Sequence, residues 1–309
     1  MSGGNLDDLT PDALRRLTEA GVPTPRADLE LLIAHVLGVS RGEAAAAVVA
    51  GRRVTEEQVG RLTDLVDDRS RRIPLQHLTG LAPFRGLELR VGPGVFVPRP
   101  ETEQVAQLAL DRLAALAPPT PRVIDLGTGS GALAAAIAAE VPDAEVHAVE
   151  VSPQAAAWAR MNLEPLGVRV HEEDLRTLPQ TWDATFDVVV SNPPYIPPGM
   201  VPRDPEVRDH DPQTALYGGG EDGLAMPRAT VAAARRLLRP GGWFVLEHAE
   251  AQAAPMREHL RRHRDLEEVT THRDLTGRDR ATSAVVRTPT TSEPTPVHAP
   301  AQASETVGE

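Results

Sequence analysis

The stretch Val123-Ile124-Asp125-Leu126-Gly127-Thr128-Gly129-Ser130-Gly131 decides how the rest of the chain is read. Its apolar start predicts a buried strand, and its three alternating glycines predict a tight turn opening the helical run Ala132 to Ala139. Glycine lets backbone approach a ligand closely, and ligands of open α/β sheets bind beyond the carboxyl ends of strands. An adenosine-containing cofactor is therefore expected here. The glycines alone do not choose it, because Gly127-x-Gly129-x-x-Ala132 also satisfies the loose dinucleotide pattern.

Downstream, the pattern alternates strand with helix. Strands are predicted at Arg122 to Leu126, Glu145 to Glu150, Val168 to His171, Phe186 to Ser191, Trp243 to Glu247, Leu266 to Thr270 and Ala281 to Arg287, with helical runs between the first five. That alternation implies an α/β fold: a seven-stranded, mostly parallel sheet covered on both faces. The last two strands have no convincing helix between them, so one is expected to be an antiparallel edge strand. Glu150 ends the second strand, where a carboxylate can accept hydrogen bonds from both hydroxyls of a ribose. Asp174, just past the third strand, can accept from an adenine amino group with Leu175 against the ring; plain surface solvation is the alternative for Asp174.

The segment Phe186-Asp187-Val188-Val189-Val190-Ser191-Asn192-Pro193-Pro194-Tyr195 separates the cofactors. It puts a carboxamide at the carboxyl end of a buried strand, on the same sheet edge as Gly127 to Gly131. Pro193 holds Asn192 toward extended geometry, and Pro193 and Pro194 fix their own φ and lack N–H donors, so the loop is stiff and offers acceptors. The Asn192 side-chain oxygen and the Pro193 carbonyl can receive both hydrogens of one planar –NH2 group, while Tyr195 supplies a ring for packing. Such a nitrogen is a weak nucleophile and needs an activated electrophile, which the methyl-sulfonium of S-adenosylmethionine is. Positioning and electrostatics then supply most of the catalysis. No general base is evident, and proton loss to solvent is the expectation.

Upstream, residues 1–82 read as a small helical bundle. Thr10-Pro11 and Thr24-Pro25 each place a cap before a proline at the first helical position, Ser40-x-x-Glu43 and Thr55-x-x-Gln58 fit capping boxes, and Gly21, Gly38 and Gly51 stand where helices should stop. Leu29, Leu32, Ile33 and Val36, then Val59, Leu62 and Val66, recur at helical spacing and are expected inside. Residues 83–98 are expected to form a β-hairpin about Gly92-Pro93-Gly94 that joins this bundle to a catalytic domain over 99–287. Residues 288–309 are rich in Thr, Pro, Ser, Ala and Glu, a composition expected to stay disordered.

Composition narrows the classes. The chain has 309 residues, 41% of them hydrophobic, which suffices for one large and one small core. It has no cysteine and no lysine, which excludes thiolate metal sites, disulfides and Schiff-base chemistry. A net charge of −12 argues against a broad nucleic-acid-tracking face. No signal peptide is read at Met1 to Asp8, and the apolar runs Ala44 to Ala50 and Ala132 to Ala139 are short of the ~20 residues a membrane helix needs. A cytoplasmic monomer with no membrane and no direct nucleic-acid partner is expected.

Val97-Pro98-Arg99-Pro100-Glu101-Thr102-Glu103, Asp125 to Gly131, Ser191-Asn192-Pro193-Pro194-Tyr195, Gly218-Gly219-Gly220-Glu221-Asp222-Gly223-Leu224 and Gly277-Arg278-Asp279-Arg280 together resemble the HemK/PrmC family of protein glutamine methyltransferases. The resemblance covers about residues 10 to 287 and implies a Rossmann-like class I methyltransferase sheet. It further implies that Gly127, Thr128, Gly129, Ser130, Gly131, Glu150, Asp174, Leu175 and Asn192 hold S-adenosylmethionine, and that Asn192, Pro193, Pro194 and Tyr195 grip the glutamine of the Gly-Gly-Gln motif of peptide chain release factors. The N-terminal helices would help dock that protein. A sibling enzyme acting on a ribosomal protein, a nucleic-acid amino methyltransferase, and a silent binding module are the other readings.

Overall fold

The computed structural model describes residues 3–289, so the expected disordered tail lies almost wholly outside the described residues. The chain opens with five helices: α1 (Leu6–Glu19), α2 (Pro25–Leu37), α3 (Arg41–Val49), α4 (Glu56–Ser70) and α5 (Leu75–Thr79). Leu17, Leu29, Leu32, Ile33, Leu62 and Val66 meet in one apolar core. Both capping boxes form: Ser40 with Glu43 opens α3, and Thr55 with Gln58 opens α4. Gly38 ends α2 with φ 64°, a left-handed conformation that glycine adopts without a Cβ penalty. The expected start at Thr10-Pro11 is wrong. Burial of Leu6 against the bundle draws the helix back to Leu6 and leaves Pro11 inside it, while the Thr10 hydroxyl donates to the Leu6 carbonyl at 2.6 Å.

The hairpin also differs from expectation. Strands β1 (Leu81–Phe84) and β2 (Leu87–Arg90) pair antiparallel about Arg85-Gly86, not about Gly92-Pro93-Gly94. Gly92 serves close packing instead: a Cβ there would lie 2.5 Å from the Trp158 ring. Residues 91–97 run on as a strap, with Val91, Val95 and Val97 buried against Ala155.

Beyond α6 (Thr102–Leu116), the chain builds β3 (Arg122–Leu126), α7 (Ala132–Glu140), β4 (Glu145–Glu150), α8 (Pro153–Leu163), β5 (Arg169–Glu172) and β6 (Phe186–Ser191). There follow α9 (Pro205–His210), α10 (Gln213–Leu216), α11 (Ala225–Leu237), β7 (Leu238–Glu247), α12 (Ala253–Arg261), β8 (Leu266–Arg273) and β9 (Asp279–Val286). The seven strands order as β5-β4-β3-β6-β7-β9-β8. Alternate residues of the central strands feed two cores: Val123, Val188, Val190 and Val245 face α6 and α7, while Ile124, Leu126, Val189 and Leu246 face the side that holds Leu237 of α11 and Met256 of α12. Two details depart from the sequence pattern. No α-helix separates β5 from β6; Gln180–Trp182 makes only a short 3-10 turn there. The antiparallel strand, β9, is not at the edge but inserted between β7 and β8.

The order reverses at β3: the chain moves out to β4 and β5, then returns to lay β6 on the other side of β3. Such a switch point leaves a crevice at the carboxyl ends of the two strands. The turn after β3 and the loop after β6 are the two segments that flank it.

Candidate active site

A cavity of about 360 Å³ occupies that crevice, and every residue from Gly127 to Ser130 lines it, as do Glu150, Asp174, Leu175 and Asn192 to Tyr195. Gly131 does not line it. It begins α7 at φ 91°, and a Cβ there would meet Leu163 at 2.8 Å, so its role is to seat the turn against α8. Gly127 (φ 75°) and Gly129 (φ 58°) have nothing within 4 Å of where a Cβ would stand. Their open faces leave room for a ligand against bare backbone.

The turn is held from beneath. The Gly127 and Thr128 amides both donate to the Val149 carbonyl at 2.9 Å, and the Thr128 hydroxyl donates to Asp125 Oδ2 at 2.6 Å. Burial pushes the Asp125 carboxyl up to about 7. Glu150 receives the Gly129 amide on one oxygen and the Ser152 amide on the other, both at 2.9 Å. Each carboxylate oxygen keeps lone-pair capacity for a diol. Asp174 is drawn to the Arg176 guanidinium beside it, which holds its carboxyl below the usual range, while Leu175 is buried beside it. From α8, Asn162 donates to both Ser130 O (2.8 Å) and Arg90 O (2.9 Å), clamping the glycine turn to the hairpin.

Across the crevice, Ser191 Oγ donates to Leu126 O at 2.6 Å and ties the end of β6 to the end of β3. The Asn192 Nδ2 donates to Thr102 Oγ1 at 3.0 Å, and that hydroxyl donates to Glu247 Oε2 at 2.8 Å. Tyr195 OH donates to the other oxygen, Glu247 Oε1, at 3.2 Å. Glu247 is 2% exposed, and burial lifts its carboxyl to about 7 against the opposing pull of Arg280. Tyr195 is therefore anchored by its hydroxyl as well as packed by its ring, and its phenol is raised above its ordinary value, chiefly by burial.

A second glycine-rich segment backs the Asn192 to Tyr195 loop, the acceptor loop for the carbonyl oxygens it offers. A Cβ on Gly218 would lie 1.9 Å from the Gly223 carbonyl oxygen and 2.5 Å from that of Pro194, and one on Gly223 would lie 2.3 Å from that of Tyr195. Gln252 Nε2 donates to the carbonyls of Tyr195 (2.7 Å) and Asp222 (2.9 Å), binding loop and backing together. Farther out, Arg69 donates to Asp28 (2.7 Å), to the Ile73 carbonyl (3.1 Å) and to Glu206 on α9 (2.8 Å), and Arg72 also grips Glu206. The bundle is thus fastened to the segment that follows the acceptor loop.

Thr102, Glu247, Gln252 and Asn162 carry no role in the sequence reading. Two of them carry a local signal: Thr102 stands within the Val97 to Glu103 segment, and Glu247 is a carboxylate closing the apolar run Trp243 to Leu246 on the same sheet edge as the other site residues.

A parallel sheet with one inserted antiparallel strand, a glycine turn after its first strand, an acid closing the second and Asn-Pro-Pro-Tyr after the fourth define an S-adenosylmethionine-dependent class I methyltransferase. Residues 8–80 match the PrmC N-terminal domain, and residues 86–201 match the methyltransferase small domain. The release factor glutamine methyltransferase of Streptomyces coelicolor is 46% identical over 88% of this chain and 95% of its own length. That of Bifidobacterium longum is 42% identical over 91% of this chain and 99% of its own. The chain belongs to the release factor glutamine methyltransferase family. Among solved structures, the hMettl16 catalytic domain in complex with MAT2A 3′UTR hairpin 6 shares the fold, with a TM-score of 0.51 and 18% identity over 77% of this chain and 85% of that one.

Proposed function

We propose that this enzyme transfers a methyl group from S-adenosylmethionine to the side-chain amide nitrogen of the glutamine in the Gly-Gly-Gln motif of peptide chain release factors. The observation that carries the reading is that one cavity is walled by both the glycine turn and the Asn192 to Tyr195 loop. The open faces of Gly127 and Gly129 and the doubly held Glu150 fit a nucleoside with a free diol; Asp174 and Leu175 fit its base. Thr128, Ser130, Gly131 and Asn192 complete the set, Gly131 by shaping the turn. The bound cofactor supplies a methyl group already activated on a sulfonium.

The chain's own part is to hold the amide. Asn192 Oδ1 and the Pro193 carbonyl accept the two N–H bonds, which aims the nitrogen lone pair and raises its electron density; Pro194 keeps the loop stiff and Tyr195 packs beside it. With the amide so held, the methyl would pass from sulfur to nitrogen, leaving a neutral thioether, and the nitrogen's proton would go to solvent. The N-terminal helices, fastened to α9 through Arg69 and Arg72, help receive the release factor. The acidic charge favours a protein over a nucleic acid as substrate, and the reading places the reaction in the cytoplasm.

Asn192→Ala tests the assignment. Methyl transfer in single turnover should fall at least ~100-fold with cofactor affinity largely kept. Near-normal transfer would remove Asn192 from the chemistry. Labelled cofactor offered with release factors, ribosomal protein and nucleic acid, followed by peptide mass mapping, should place the label on the Gly-Gly-Gln glutamine; label elsewhere would select a sibling reading.

A further inference from the structure

Thr102 opens α6 and Glu247 closes β7, yet the two side chains meet behind Asn192. Counting protons there fixes an orientation. A hydroxyl has one hydrogen, and an ionised carboxylate can only accept, so the Thr102 proton is committed to Glu247 Oε2 at 2.8 Å. What Thr102 Oγ1 still offers is lone pairs. Asn192 must therefore face it with its amino group, at 3.0 Å, because its carbonyl oxygen would meet an oxygen with no proton between them. The carboxamide oxygen is left for the cavity that Asn192 lines. Glu247 also takes the Tyr195 hydroxyl on its second oxygen, so one buried carboxylate sets both polar ends of the acceptor loop.

We propose that Thr102 and Glu247 are positioning residues whose directed hydrogen-bond chain makes Asn192 present an acceptor, and only an acceptor, to the incoming –NH2 group. The inference rests on the reading that Asn192 receives the substrate amide. It adds a switch to that reading. The groups facing Glu247 are Thr102 and Glu101 from the start of α6, Tyr195 from the acceptor loop and Arg280 from β9. Arg280 favours the ionised carboxylate, and burial and Glu101 oppose it, leaving its titration at about 7. When Glu247 takes a proton on Oε2 it donates to Thr102, the Thr102 proton turns toward Asn192, and the carboxamide must rotate to accept it. Asn192 then shows N–H to N–H, and the substrate amide loses an acceptor. The ionised form is the working form, so kcat should be full above the titration and fall as pH drops below about 7.

The test compares the parent with four full-length variants in single turnover with labelled S-adenosylmethionine and release factor, across pH. Thr102→Val should lower kcat roughly 10- to 100-fold with KM for the release factor and cofactor affinity changed far less, and should flatten the acid limb. Thr102→Ser, which restores the hydroxyl, should recover most of the rate and the limb. At saturating cofactor, so that Asp125 beneath the glycine turn does not enter through cofactor binding, Glu247→Gln should be slow and should lose the kcat inflection near neutrality. A Thr102→Val chain with wild-type kcat and limb, beside an Asn192→Ala chain that has lost transfer, overturns this inference and leaves the acceptor assignment standing. Normal rates in both Thr102→Val and Asn192→Ala overturn the assignment too. A Thr102→Ser chain as slow as Thr102→Val would mean the threonine methyl, through packing, was what mattered, and would also overturn the inference.

Discussion

Gly218 offers the sharpest check on how the acceptor loop is held, because it does not line the cavity. Its backbone is wedged between two others: a Cβ would stand 1.9 Å from the Gly223 oxygen, 2.5 Å from the Pro194 oxygen and 2.8 Å from the Tyr195 Cα, where ordinary contact begins at 3.4 Å. None of these atoms belongs to a flexible side chain. Accommodating Gly218→Ala therefore needs the walls to part by about 1.5 Å, and the wall toward the site is the acceptor loop itself. Gln252 resists on the far side through its bond to the Tyr195 carbonyl, so the strain is shared and the loop should move by about 1 Å. A misplacement of that size at a reacting centre costs on the order of 100-fold in rate, about 2.7 kcal/mol of transition-state stabilisation. Overpacking should cost a further ~1–3 kcal/mol of stability, leaving the chain folded. The assay is single-turnover methyl transfer, with calorimetry for cofactor binding and thermal unfolding as a control. Cofactor affinity should change by less than about threefold, under about 0.7 kcal/mol, since the glycine turn is braced by Val149 and Asp125 instead. A folded Gly218→Ala chain that turns over within threefold of the parent would refute the reasoning that Gly218 and Gly223 set the loop's position.

Asp28→Ala should destabilise the protein by about 3 kcal/mol in urea unfolding, because Arg69, its side chain only 5% exposed, loses one of its two carboxylates; a change under about 1 kcal/mol would show that Glu206 alone suffices. His147 and His171 stack 5.3 Å apart beside Trp182, and burial holds both imidazoles below their ordinary value. Their neutral forms are the ones the fold accommodates, so their contribution is full above about pH 6.5 and falls as the unfolded chain takes up protons the folded one refuses. Asp125 and Glu247, lifted to about 7 by burial, titrate in the opposite sense over the same range, so the imidazole part is read as a difference: the urea midpoint of His147→Leu/His171→Leu should gain on the parent's as pH goes from 7.5 to 5.5, and a constant difference would move the acid sensitivity to other groups.

The parts of the fold most legible in the sequence are those where local pattern and tertiary role agree. β3, β4 and β6 are apolar runs because parallel central strands are covered on both faces, and their limits match the expected ones. Gly92-Pro93-Gly94 misleads for a physical reason: a glycine admitted for close approach to Trp158 carries the same letters as one admitted for a turn, while the hairpin turns at Arg85-Gly86. Nor can order along a sheet be read from a strand's own residues, so the expectation that one of the last two strands is an antiparallel edge strand misses that the antiparallel one, β9, is inserted between β7 and β8. In the site, Gly127 to Ser130 and Asn192 to Tyr195 are contiguous motifs, whereas Thr102 and Glu247, which line the same cavity, are joined by a contact spanning 145 positions that no local pattern pairs.

Arg69 has one further consequence, for transplanting parts between relatives. Its guanidinium divides its donors among a carboxylate of its own bundle, a backbone carbonyl four residues on, and Glu206 from beyond the acceptor loop. A lysine, with a single ammonium point, could not serve three acceptors set around a planar fork. A chimaera that grafts another family member's helical bundle onto this sheet inherits the seam only if the donor brings an arginine at both 69 and 72 and the recipient keeps Glu206. Bundle and sheet are interchangeable modules on paper, but the lock between them is keyed.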